Sequence, residues 1–138
     1  FDPFPIFDEM KKYFNGNFIL NACGATITYP HEKLYTQNIH RDSRSFLKDK
    51  YQLNFVLLLD NTSEKNGSTI ILEGSHLTPE KPTKKDFLQK SIRLNGNKGD
   101  LIAFDGNLWH ASGVKMAHSH SVDCQREEEI IATSIAKA

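Results

Sequence analysis

Along the first sixteen residues the apolar positions Phe7, Met10 and Phe14 recur at helical spacing, with Asp8, Glu9, Lys11 and Lys12 between them. Side chains three, four and seven apart share one face of a helix, so a short amphipathic helix is predicted here. Asn15-Gly16 would end it, since Gly and Asn are the residues that most readily close a helix in the left-handed conformation. Beyond that point the period changes. Short runs rich in β-branched and aromatic residues, bounded by turn formers, predict strands over 18–20, 25–29, 53–59, 68–72, 91–94, 101–104 and 130–135.

The run Leu53-Asn54-Phe55-Val56-Leu57-Leu58-Leu59 is nearly unbroken in apolar residues. Both of its faces should therefore be covered, as in a central strand of a two-layer structure. Asn66-Gly67, Asn95-Gly96 and Asp105-Gly106 place turn dipeptides where the chain must reverse, which favours antiparallel meanders over βαβ units. The predicted fold class is mainly β, two sheets in a jelly roll, with a closed barrel as the alternative. One domain is expected over 1–138, with 1–16 as a helical lead-in and 17–138 as the jelly roll. Pro79, Pro82 and the lysines around them predict an exposed loop over 77–88, a solvated face at the mouth of the sandwich where selectivity can be built.

Charge removes several function classes. Lys plus Arg and Asp plus Glu number 17 each, so no global field exists to attract nucleic acid or an anionic membrane. The hydrophobic 38% is spread in short runs, none near the roughly 20 apolar residues of a membrane span. Phe1-Asp2-Pro3-Phe4-Pro5 lacks the basic leader and apolar stretch of a secretory signal, so a cytoplasmic setting is expected. The chain starts without Met and enters folded-looking sequence at once, so further segments are expected outside it. Cys23 and Cys124 are too few and too widely separated for a disulfide framework or a paired zinc motif, and read as ordinary thiols.

The candidate chemistry lies in two segments. Gln37-Asn38-Ile39-His40-Arg41-Asp42 holds a His and a carboxylate two residues apart, and in an extended chain such positions point to the same side. His110, in Leu108-Trp109-His110-Ala111-Ser112-Gly113, comes after a predicted strand and supplies the natural third donor. Two imidazoles and one carboxylate on one face of an octahedral ion form the facial triad of non-haem iron(II) oxygenases, with open positions for co-substrate and dioxygen. A lone His-x-Asp occurs by accident in many chains. Its weight here comes from the order of the segments downstream of Asp42: Asn54 to Thr62, Glu64-Lys65-Asn66-Gly67 leading to Gly74-Ser75-His76, Gly99-Asp100-Leu101-Ile102-Ala103-Phe104, and Trp109-His110.

In these motifs the sequence strongly resembles the phytanoyl-CoA dioxygenase family over about residues 18–113, with Glu73 standing where the family usually has proline. The resemblance implies a double-stranded β-helix, Fe(II), 2-oxoglutarate as co-substrate, and dioxygen-dependent hydroxylation of a small organic substrate with release of succinate and CO2. It implies His40, Asp42 and His110 as the metal ligands. Ser112 matches the family's polar residue two beyond the distal His, which contacts 2-oxoglutarate. The family's Arg that anchors the far carboxylate is matched by Arg126, with Lys115 as the alternative; an Arg fork suits a carboxylate better than an ammonium does. Gln37 is a further candidate contact, for 2-oxoglutarate or for substrate.

Other histidines read more plainly. His118 and His120 lack a suitably spaced carboxylate and are expected in solvent, as is His31. His76 is expected to hydrogen-bond backbone within its turn, and Trp109 to be core or a pocket wall. Two competing readings stay open: a jelly-roll metal-binding or sensing module without turnover, and a cupin-type metalloenzyme, against which the Gly-Ser-His and Gly-Asp segments argue.

Overall fold

The computed structural model describes residues 5–28, 35–113 and 128–138. Helix α1 (Pro5–Phe14) leads into strand β1 (Phe18–Thr28), and a 3-10 turn follows at Tyr35–Gln37. Strands β2 (Gln52–Leu58) and β3 (Ile70–Ile71) precede a second 3-10 turn at Ser75–Leu77 and helix α2 (Lys84–Lys90). Strands β4 (Ile92–Arg93), β5 (Leu101–Asp105), β6 (His110–Ala111) and β7 (Glu128–Lys137) complete the order. All pairings are antiparallel: one sheet runs β1-β7-β2-β5 and the other β4-β3-β6. The fold is the mainly β jelly-roll class that the strand pattern predicts.

Period-two alternation explains how so short a second sheet is held. Ile71 pairs with His110 and Ile70 with Ala111, so each pair shares one face. On one face Ile71 packs with Val56, Leu58 and Phe104 of the large sheet, which forms the sandwich core. On the other, Ile70 and Ala111 pack with Trp109 and Phe87 under α2. Strand β2 is likewise covered on both sides. Gln52, Asn54 and Val56 line the interior cavity, and on the other side Leu53 and Phe55 line a cleft together with Met10 and Tyr13 of α1. Phe14, 1% exposed, anchors α1, and full burial of such a ring stabilises by about 1.5–3 kcal/mol.

Two expectations change. The run at 18–20 and residues 25–28 of the next run join into the single strand β1, Tyr29 lying outside the described residues, and the pairing of β1 with β7 absorbs a bulge between Leu20 and Ala22. Residues 77–88 are not one exposed loop, because 84–90 form α2. Thr83 caps that helix by accepting a hydrogen bond from the Asp86 amide at 3.1 Å. Phe87 is 1% exposed, so one apolar anchor fixes a segment whose lysines read as solvated. Pro79 to Pro82 does remain irregular and open. Among the described residues no helix is long and apolar enough to cross a membrane.

Candidate metal centre

His40 and His110 are directly opposite one another in an isolated antiparallel bridge that extends the small sheet beyond β6. The His40 amide donates to the His110 carbonyl at 3.0 Å, and the His110 amide returns the bond at 2.9 Å. Asp42 comes two residues later, and its amide and that of Ser43 both donate to the Gly106 carbonyl, at 3.2 and 3.1 Å. Gly106 is required by close approach: a Cβ there would lie 2.8 Å from Gln52 Cβ. The chain thus crosses β5's exit without a side chain in the way, and both halves of the site are set by backbone.

The three side chains converge. Asp42 Oδ1 is 3.6 Å from His40 Nε2, and Oδ2 is 3.6 Å from His110 Nε2. One donor atom from each residue lies within 4.8 Å of the other two, close enough to share a cation. Each imidazole is oriented through its other nitrogen: His40 Nδ1 is 2.7 Å from the Asn38 carbonyl, and His110 Nδ1 is 2.9 Å from the Leu108 carbonyl. A carbonyl only accepts, so both Nδ1 atoms carry the proton and both Nε2 lone pairs face the shared point. Burial pushes the His110 imidazole below its ordinary pKa, and His40 acts the same way, while Asp42 opposes them. The buried ring is therefore held neutral, the form that ligates metal.

Sequence reasoning passed over the support for Asp42. Asn54 Nδ2 donates to Asp42 Oδ2 at 2.6 Å, and Gln52 Nε2 donates to Asn54 Oδ1 at 3.1 Å. Both amides are buried. Their signal was present: two amides two residues apart on the inward face of an otherwise apolar strand need polar partners inside. Ser75 was also missed. Its Oγ accepts from the Trp109 amide at 2.9 Å and ties the Gly74-Ser75-His76 turn to the residue before His110. His76 does not make the expected hydrogen bond to backbone. The turn is closed by its own main chain, with Leu77 N donating to Gly74 O at 3.1 Å, and the His76 Nδ1 is buried without a partner.

Behind the triad lies a cavity of about 340 Å3 between the sheets, into which His40, Asp42, Asn54, His110 and Ser112 project. Ser112 lines this cavity together with the three residues of the triad. Gln37 is half-buried in its 3-10 turn and is not among the described residues lining the cavity; Thr36, its neighbour, is, with a buried Oγ1 that has no hydrogen-bond partner. In front of the triad is an open cleft of about 710 Å3 that also reaches His40 and Asp42. Trp109 both joins the core under α2 and walls this cleft, so both expectations for it hold. Cys23 is exposed on β1. Arg126, Lys115, His31, His118, His120 and Cys124 lie outside the described residues.

The sandwich and its two-histidine, one-carboxylate cluster define a jelly-roll protein with a candidate metal centre. The family profile described as phytanoyl-CoA dioxygenase (PhyH) matches residues 15–117, and the chain belongs to that family. It is similar to the dioxygenase andF of Emericella variicolor, 26% identical over 119 residues that cover 78% of this chain and 38% of that protein. Among solved structures it resembles EvdMO1, with a TM-score of 0.73 at 22% identity, covering 96% of this chain and 31% of that one. It also resembles the epimerase SnoN in complex with Fe3+, alpha ketoglutarate and nogalamycin RO, with a TM-score of 0.70 at 14% identity, covering 93% and 53%. The chain thus spans well under two thirds of each of these three proteins.

Proposed function

We propose that this chain is the catalytic core of an Fe(II)- and 2-oxoglutarate-dependent dioxygenase that hydroxylates a small organic substrate. The convergence of His40 Nε2, His110 Nε2 and an Asp42 oxygen within 4.8 Å carries this reading. The donor set fits the ion: two neutral imidazoles and one carboxylate suit ferrous iron and leave coordination positions open. The co-substrate fits the cavity behind them, where Ser112 projects inward and the unpartnered Thr36 hydroxyl offers a hydrogen bond. When bound, iron with 2-oxoglutarate and dioxygen supplies the oxidant for C–H hydroxylation, with decarboxylation to succinate and CO2.

The protein's own contribution is positioning. His40 and His110 are locked by paired backbone and by Nδ1 hydrogen bonds, so neither ring can turn its Nε2 away. Asn54 holds one Asp42 oxygen and leaves the other for the ion. Arg126 is proposed to hold the far carboxylate of 2-oxoglutarate.

The second reading is a metal-binding module without turnover, in which no side chain holds the far carboxylate of 2-oxoglutarate. Anaerobic titration of the Fe(II)-loaded protein with 2-oxoglutarate separates the two. The oxygenase reading expects a weak visible charge-transfer band that His110→Ala abolishes and Arg126→Ala shifts to much higher 2-oxoglutarate concentration. A colourless titration in the unaltered protein sinks it.

A further inference from the structure

We infer that the outer cleft is a binding site for an organic anion, a carboxylate or phosphate ester, and that this is the substrate class of the enzyme; the second clause rests on the oxygenase reading above. His40 and Asp42 belong to both walls, so the cleft and the inner cavity meet at the triad. A molecule in the cleft is next to the metal centre without competing for the inner cavity.

The charge of the lining is one-sided. Arg41, Arg44 and Lys81 line the cleft, and among the described residues its single lining carboxylate is Asp42. Asp42 is already engaged by Asn54 and by both imidazoles. Across the whole chain acidic and basic residues balance at 17 each, so this excess of cations is local to the cleft. Among the described residues none of the three cations makes an ion pair. Asp105 and Glu80 act on Arg41 only through longer-range attraction.

Arg41 is also preorganised. Its guanidinium carbon sits 4.2 Å from the Trp109 ring centroid and 5.5 Å from that of Phe46, and its Nη2 donates to the Thr78 carbonyl at 3.1 Å. That single bond leaves further donors of a planar fork built for carboxylate or phosphate oxygens. Lys81 Nζ lies 5.6 Å from the same indole centroid. Trp109 therefore presents two cations at one cleft, where an apolar wall strengthens their pull on an anion.

Trp109 is the chain's one tryptophan, so its fluorescence reads this cleft directly. The test titrates the full chain, metal-free and loaded with Zn(II) and 2-oxoglutarate, with sodium octanoate, octyl phosphate and octylamine. Saturable change in emission with either anion and none with the amine is expected, the tighter anion identifying carboxylate or phosphate as the preferred group. The double variant Arg44→Gln/Lys81→Gln, at exposed positions, should weaken the anion about tenfold, and Arg41→Gln more. Equal responses to octylamine and the anions, or anion affinity unchanged in the double variant, overturns the proposal. The Fe(II) and 2-oxoglutarate band of the double variant is read in parallel. In the unaltered protein, a normal band with no anion preference overturns the cleft proposal alone, whereas no band removes the oxygenase and leaves the anion site to stand or fall on fluorescence.

Discussion

His40 and His110 exchange both backbone hydrogen bonds of one antiparallel pair, at 3.0 and 2.9 Å, and their ring centroids lie 4.3 Å apart. Two widely separated segments are thereby registered to each other at the one residue pair whose side chains must meet. The candidate metal centre is placed by sheet pairing, and the same bonds that terminate the small sheet aim its side chains.

Asn54 should govern metal affinity although it is not a ligand. Asn54→Ala removes the 2.6 Å bond to Asp42 and is expected to weaken Mn(II) binding by roughly 10- to 100-fold. Asn54→Asp sets a carboxylate against Asp42 and should be worse still. Calorimetric titration with Mn(II) checks both, with thermal unfolding of each variant as the control for folding. Unchanged affinity in both variants would remove Asn54 from the site.

Gly106→Ala is expected to damage fold and site together. The new methyl would meet Gln52 Cβ at 2.8 Å and push back the carbonyl that orders Asp42 and Ser43. A loss of about 1–3 kcal/mol in denaturant unfolding is expected, the usual range for overpacking, with weaker Mn(II) binding in the protein that remains folded.

The metal-free protein should lose stability as pH falls through the ordinary histidine range. His110 is held below its usual pKa by burial, so between that value and its lower folded value the unfolded chain binds the proton and the native chain does not. Stability present above the ordinary pKa of about 6.5 is then lost on acidification, with a slope of at most about 1.4 kcal/mol per pH unit for one proton. His110→Gln should flatten the melting temperature over this window. An equally steep profile in the variant would assign the effect to other groups.

The helix hidden in the lysine-rich segment should matter as core does. Phe87→Ala is expected to cost about 3–5 kcal/mol, as for buried Phe elsewhere. Leu88→Ala, at a position 62% exposed, should stay within about 0.5 kcal/mol. Urea unfolding of the pair tells them apart, and equal small effects would show that α2 does not hold the small sheet.

The sequence by itself determined the class of fold, because turn dipeptides and period-two runs are local patterns that need no knowledge of partners. It also singled out His40, Asp42 and His110 as candidates, which the fold brings together, since His-x-Asp spacing and a distal His survive as text. Tertiary structure alone decided what those residues touch. Phe87 looks like any apolar residue among lysines until α2 lies on Ile70 and Ala111. Asn54 looks like an interruption in an apolar strand until Asp42 arrives opposite it. Arg41 is only the spacer of the His-x-Asp motif until Trp109 comes beneath it at 4.2 Å. Each of these is a contact between segments distant in sequence, and such contacts are set by sheet register and packing, which no local pattern encodes.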